Sequence, residues 1–234
     1  MKKVLVISGA SKGIGLATAT LFQQHGYQVV NLSRSAIPLA GATHISADFS
    51  DRHWGDHCAE GIISALTDAE QVVLVHNAAL MHKGSGVDLD IAELEASLAV
   101  NILAPAILNK IVVPHMPKGS ALLYIGSTLA EKAVPNTAPY VISKHAVVGF
   151  MRSSCQDLAG RGIHSACICP GFTGTEMLLT HAAGDQGFVD AIADTVTFGR
   201  LIEPAEIAQT VYFCATSPVI NGAVIHANLG QIER

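Results

Sequence analysis

Short runs of aliphatic and β-branched residues recur along this chain with helix-length segments between them, and that alternation leaves few folds open. Val4–Ile7, Gln28–Leu32, Val72–Val75, Ala121–Ile125, Ile163–Ile168 and Val224–Ala227 read as buried strands, with Thr43–Ala47 as a shorter one. Helical patterns near 14–25, 52–66, 90–113, 139–159 and 204–216 lie between them. Strands and helices taking turns in this way predict the α/β class: a doubly wound parallel sheet with helices on both faces, because parallel strands need helix-length crossovers. No repeat, low-complexity tract or linker-like shift in composition divides the chain, so residues 1–234 read as a single domain. Half of the residues are hydrophobic and 14% are charged, which supports a buried core and argues against bulk disorder.

Charge removes other possibilities. Fourteen Lys and Arg against 19 Asp and Glu give a formal net charge of −5, no broad electrostatic reason to bind nucleic acid or an anionic membrane. The apolar stretch Leu98–Val113 is interrupted by Asn101, Pro105, Asn109 and Lys110 and makes a poor membrane span. Val4–Ile7 is too short for a secretory signal, and five cysteines, an odd number, point to reduced thiols in a cytoplasmic setting. The charge is also uneven: Lys2, Lys3, Lys12 and Arg34 all precede the first acid, Asp48.

That basic start contains a glycine-rich turn. Ser8-Gly9-Ala10-Ser11-Lys12-Gly13-Ile14-Gly15 follows the first strand and opens a helix, the placement of a Rossmann-type dinucleotide turn. Glycines there let the backbone approach a pyrophosphate, whose charge the helix N-terminus stabilises. Folds of this kind that take NAD place an acid at the end of the second strand, on the ribose 2′-hydroxyl. Here Ser33-Arg34 stands at that point, and Arg34 with Lys12 suits a 2′-phosphate, so NADP(H) is expected over NAD(H). Asp48, followed by Phe49, could accept from the adenine amino group or cap the helix beginning near Asp51. His76-Asn77-Ala78-Ala79 supplies small residues beside the cofactor path, with His76 read as a satisfied core histidine.

Tyr140 and Lys144 stand at i and i+4 on one helix face. A neighbouring ammonium favours a phenolate, which suits a phenol for proton exchange. Ser127 ends the strand before them, where its hydroxyl could donate to a carbonyl oxygen that gains charge as hydride arrives.

With these residues in order, the chain resembles the short-chain dehydrogenase/reductase family over essentially its whole length. The family's Thr-Gly-x-x-x-Gly-x-Gly appears as Ser8-Gly9 to Gly13-Ile14-Gly15, its Asn-Asn-Ala-Gly as His76 to Ala79, and its Tyr-x-x-x-Lys as Tyr140 and Lys144. Its active-site asparagine and serine appear as Asn101 and Ser127, its Pro-Gly segment as Pro170-Gly171, and its last strand as Asn221 to Asn228. His76 and Ala79 depart from the pattern. The resemblance implies hydride transfer between nicotinamide C4 and a carbonyl or alcohol carbon, with Asn101, Ser127, Tyr140 and Lys144 as the catalytic set. Tyr140 would be the proton donor in reduction, Lys144 would support it and hold the nicotinamide ribose, Ser127 would orient the carbonyl, and Asn101, at a break in its helix, would hold a water that returns protons. The implied cofactor contacts are Gly9, Ser11, Lys12, Gly13, Ile14, Gly15, Ser33, Arg34, Asp48, Phe49, Asn77, Ala78, Ala79, Tyr140, Lys144, Pro170, Gly171, Phe172, Thr173 and Thr175.

Other signals are weaker. His53 and His57 at helical spacing could bind zinc, but Trp54 stands where a metalloprotease needs glutamate, and Cys167 with Cys169 offers two ligands only, so no metal site is expected. His82 and Lys83 fall near the expected pocket. The glycine-rich stretch 170–203 reads as a substrate loop. Leu80, Met81, Leu129, Val134, Phe172, Met177, Leu178 and Phe198 suggest a small-to-medium apolar ketone or aldehyde. Residues 98–113 and 139–151 are apolar around more than one helix face, which suggests burial in a homodimer or homotetramer or deep in the core. Two other functions remain open: an NADP(H)-sensing regulator without turnover, and a 3-oxoacyl-carrier-protein reductase, for which Lys118, Lys132 and Arg152 would supply a basic patch.

Overall fold

The computed structural model describes residues 2–182 and 184–231. Seven parallel strands form one sheet in the order β3-β2-β1-β4-β5-β6-β7. They are β1 (Lys3–Ser8), β2 (Tyr27–Ser33), β3 (Thr43–Ser46), β4 (Gln71–His76), β5 (Ala121–Ile125), β6 (His164–Pro170) and β7 (Val224–Ala227). Helices α1 (Gly13–Gln24), α2 (Trp54–Leu66), α3 (Ile91–Leu98), α4 (Ala104–Val112), α5 (Ala138–Asp157), α6 (Glu176–His181), α7 (Gln186–Ala193) and α8 (Pro204–Thr216) connect them. The doubly wound expectation holds.

Side chains alternate across each strand, so the sheet splits its apolar residues between two cores. Val4, Val6, Leu74, Leu122 and Tyr124 face α2, α4 and α5, while Leu5, Ile7, Val73, Val75 and Leu123 face α1 and α8. The chain winds from β1 outward to β3, then returns to place β4 beside β1. That reversal opens a crevice at the C-terminal strand ends, where a ligand can enter.

Two segments differ from the sequence expectation. The helix expected over 90–113 is divided: the π turn Ala99–Leu103 separates α3 from α4, with Asn101 inside it. The helical run Ile91–His115 is long and apolar enough to cross a membrane by length and composition alone, but it packs on the sheet, α2 and α5. Residues 170–203 hold α6 and α7, each begun by a local cap: Thr175 accepts from Leu178 N, and Asp185 accepts from Phe188 N.

Candidate active site

The C-terminal strand ends of the sheet gather the glycine-rich turn, Ser33-Arg34, Asn77–Ala79, Ser127 and Pro170–Thr175 along one edge. At β1 the turn is stitched to its neighbours. Gly9 N donates to Leu32 O at 2.8 Å, and Ala10 N donates to Asn31 Oδ1 at 2.8 Å. Asn77 Nδ2 donates to Ser8 O at 3.0 Å and to Gly9 O at 2.8 Å, while Ser8 Oγ accepts from Asn77 N and Ala78 N. Gly9 needs its freedom, with φ of +73° and a position where a Cβ would stand 3.0 Å from Ala78 Cα. A Cβ on Gly15 would run into Gly9 O and the Asn77 amide.

The result is a shallow cradle of main chain at the start of α1. The N-cap residue Lys12 makes no side-chain cap bond and the helix has no acid in its own first turn, while Glu176, from the segment after β6, brings a carboxylate oxygen to 3.5 Å from where a Cβ on Gly13 would stand, beside the positive end of the helix dipole. A dinucleotide diphosphate fits this site: Ser11 through Gly15 bring main chain to it and Lys12 brings an exposed cation.

At β2 and β3, Arg34 and Asp48 are both exposed. Asp48 Oδ1 accepts from Ser50 Oγ at 2.7 Å and Ser50 N at 3.0 Å; these bonds, with a smaller push from the Arg34 charge, hold its carboxyl below the usual carboxylate range. Helix α2 begins only at Trp54, and Asp51 takes the His53 N–H, so a capping role for Asp48 is overturned. The Phe49 ring packs edge-on to Trp54 at 4.9 Å, and Ser33 Oγ donates to Ser35 O at 2.7 Å, so both offer main chain to the edge.

Beyond β6, Thr173 Oγ1 donates to Gly171 O at 3.1 Å. Thr175 caps α6, and its methyl group lies 3.3 Å from where a Cβ on Gly13 would stand, so this segment closes over the glycine-rich turn.

Between β5 and α5 the site is made of side chains. Lys144 is only 3% exposed; its Nζ donates to Ile125 O at 2.8 Å and lies 5.4 Å from the centre of the Tyr140 ring. Ser127 Oγ accepts from Leu129 N at 3.1 Å, which turns its hydroxyl hydrogen toward other acceptors. Asn101 is buried: its Oδ1 accepts from Leu80 N at 2.8 Å, and its Nδ2 donates to Leu80 O at 2.9 Å and Ser143 Oγ at 2.8 Å. Ser143 Oγ donates in turn to Tyr140 O at 2.8 Å, which joins the asparagine to the tyrosine's own helix.

Three contributors were missed by the sequence reading. Ser143 sits three residues after Tyr140, a spacing that could have shown it. Asn31, an amide inside an apolar strand, was a visible oddity. The third is Gly126, where a Cβ would stand 2.7 Å from Cys169 Sγ and 2.8 Å from Cys167 Sγ, so the two thiols form the floor under the Ser127 turn. The Cys167 thiol, hydrogen-bonded to Cys169 at 3.9 Å and buried, is pushed up.

The loops after β4 and before α5 are joined by Gly84 N to Asn136 O at 3.1 Å and Ala138 N to Gly84 O at 2.9 Å. Val134, Met177 and Phe198 leave apolar surface exposed. His82 Nδ1 lies 3.1 Å from Glu93 O and 3.4 Å from Ser97 Oγ, tied to α3, while Lys83 beside it is exposed. His53 stands at the N-cap of α2 rather than on its face, 3.6 Å from Asp56, and His57 pairs with Asp51 at 3.7 Å.

Residues 9–231 match the family model described as enoyl-(acyl carrier protein) reductase. Carbonyl reductase family member 4 of Danio rerio is 30% identical over 241 residues, covering 96% of each chain. The 3-oxoacyl-(acyl-carrier-protein) reductase FabG of Vibrio cholerae is 30% identical over 242 residues, 98% of this chain and 97% of that one. Among solved structures, a 3-oxoacyl (acyl-carrier-protein) reductase from Agrobacterium tumefaciens C58 with NADP bound matches with a TM-score of 0.86 at 22% identity, covering 98% of this chain and 93% of that one. Likeness at that identity speaks to the fold.

Proposed function

Because the chain belongs to the short-chain dehydrogenase/reductase family of oxidoreductases, we propose that it interconverts a carbonyl and an alcohol on a small-to-medium apolar substrate, using NADP(H) in preference to NAD(H). The observation that carries this reading is the buried Lys144 ammonium, 5.4 Å from the Tyr140 ring centre and one strand end from Ser127. The bound cofactor supplies or accepts a hydride at nicotinamide C4. Tyr140 gives its proton to the carbonyl oxygen in reduction and takes one back in oxidation. Lys144, fixed by Ile125 O, stabilises the phenolate that remains. Ser127 donates to the substrate oxygen, where negative charge grows. Asn101 spends both amide hydrogens and one Oδ1 lone pair on protein partners, so the water that returns protons to Tyr140 is held by the remaining lone pair.

For the cofactor, Ser11 to Gly15 hold the diphosphate, Lys12 and Arg34 the 2′-phosphate, Asp48 and the Phe49 main chain the adenine. Asn77 to Ala79 line its path, and Pro170 to Thr175 hold the nicotinamide face. Leu103 and Ile142, 57% and 42% exposed, give α5 and the turn before α4 an apolar surface suited to a homodimer or homotetramer. The five free cysteines suit a cytoplasmic protein acting as one domain.

A carrier-bound substrate is the less favoured choice. Lys118 precedes β5 and so lies at the opposite edge of the sheet, and Arg152 lies about 18 Å along α5 from Tyr140. Of the three cations expected in a basic patch, Lys132 alone follows the Ser127 turn. The reading is tested by a panel of aldehydes and ketones, followed at the NADPH absorbance band and run beside NADH. Turnover on free apolar carbonyls with NADPH favoured is expected; binding of NADPH without turnover on any carbonyl would favour the sensor.

A further inference from the structure

Beneath the site runs a chain of hydrogen bonds, buried but for its half-buried member Asn109, that the chemistry above does not use. His76 Nε2 lies 2.8 Å from Asn109 Oδ1, Asn109 Nδ2 donates to Tyr124 Oη at 2.8 Å, and Tyr124 Oη lies 3.0 Å from Ser154 Oγ. The His76 and Tyr124 rings also pack, with centres 4.7 Å apart. Asn109 Oδ1 only accepts, so His76 Nε2 carries the hydrogen, and with Asn109 donating to it the Tyr124 hydroxyl is free to donate to Ser154. Burial pushes the His76 imidazole down to about 4, and its Nδ1 is buried without a partner. Four polar side chains stand where aliphatic ones would pack without desolvation cost, so the chain's contribution is to specify an arrangement more than to add net stability.

The elements it joins show which arrangement. It links β4, α4, β5 and α5, and it is the second of two clasps near α4 and α5, the first being Asn101 to Ser143. Asn101 lies in the π turn. One extra residue in a helical turn rotates whatever lies on one side by about 100° relative to the other. Which side takes up that rotation depends on which side is pinned. Asn109 lies downstream, inside α4, and is pinned by side-chain hydrogen bonds to β4 and β5, whereas α3 upstream is held by packing on α5, so a displacement taken up upstream would carry Asn101 onto Leu80 and Ser143.

We propose that the His76–Asn109–Tyr124–Ser154 chain is a positioning device for the active site, locking α4 to α5 so that the π turn presents Asn101 to Leu80 and Ser143. Its catalytic consequence rests on the function proposed above; its structural half does not.

The test uses the full chain carrying Asn109→Leu or Tyr124→Phe, both of which keep most of the buried volume. Amide exchange across residues 77–83, which include the Leu80 N–H bonded to Asn101, should quicken about tenfold while β1 stays protected. On a substrate from the carbonyl panel, kcat should fall about tenfold, with KM for NADPH within twofold. In an Asn101→Ala background, Asn109→Leu should cost nothing further in kcat, because both act through one group. Unchanged exchange at 77–83, or equal loss of protection in β1, would overturn the proposal, as would additive losses in the double variant. A wild-type protein without turnover would sink the catalytic reading alone, since exchange still decides the positioning claim.

Discussion

The glycine-rich cradle at β1 and the side-chain cluster between β5 and α5 meet at one sheet edge, yet they are built from different materials. The cradle is main chain: Gly9, Gly13 and Gly15 clear space, and Asn31, Asn77 and Ser8 hold the turn by its own amides and carbonyls. The cluster is side chain: Lys144, Asn101 and Ser143 are buried and aimed by hydrogen bonds, with Tyr140 half-buried above them. The first therefore fails through added volume, and the second through lost chemistry at constant volume.

Tyr140→Phe separates them most strongly. It keeps the ring and removes the proton, so turnover should drop about a thousandfold or more while NADPH affinity stays within twofold. Fluorescence titration beside steady-state rates measures both, and near-normal rates would remove the tyrosine from its proposed role. Gly15→Ala reverses the pattern. Its methyl group meets Gly9 O and the Asn77 amide, both fixed, so the protein should lose about 3 kcal/mol in urea unfolding and bind NADPH poorly. Wild-type affinity in that variant would mean the cradle is not where the diphosphate sits.

The same contrast explains what could be read in advance. Strands such as Val72–Val75 and Ala121–Ile125 are unbroken apolar runs, and buried parallel strands leave no other signature, so the sheet was legible. Glycines at a strand-to-helix turn announce a steric requirement, which made the cradle legible too. The polar supports were harder to read: Ser143 under the cluster and Asn31 under the cradle are single polar residues, and the groups they tie down, Asn101 and Ala10, are distant in sequence. Helices α6 and α7 span 6 and 8 residues, too few for a repeating apolar face, so 170–203 read as loop. The π turn was hidden because one extra residue disturbs the helical pattern only slightly, though a break at Asn101 was implied by the family resemblance.

Acid should attack the side-chain region before the cradle. His76 is buried and neutral in the fold, with its imidazole at about 4 against an ordinary 6.5. Between those values the unfolded chain binds a proton that the native protein refuses, so stability falls as pH drops from 6.5 to 4, by about 3 kcal/mol in all. Urea midpoints across that range should fall in the wild type and flatten in His76→Gln. An equal slope in both proteins would place the acid sensitivity elsewhere. Asp48, exposed and hydrogen-bonded to Ser50, is held low, so protonating it weakens the fold only at more acidic pH.

Arg34 belongs to neither material: it is an exposed side chain at the rim of a main-chain cradle. Its guanidinium can pair with the 2′-phosphate but has nothing equivalent to hold on a 2′-hydroxyl. Arg34→Ala should therefore weaken NADPH about tenfold and leave NADH within twofold, the modest size reflecting a charge pair that water still screens. Lys12→Ala should do the same to a smaller degree. Salt supplies an independent check, because raising ionic strength from about 0.05 M to about 0.5 M shortens the screening length and should erode the wild-type preference toward that of Arg34→Ala. An equal loss for both cofactors would assign Arg34 to the shared diphosphate or to the fold, and the proposed preference for NADP(H) would lose its support.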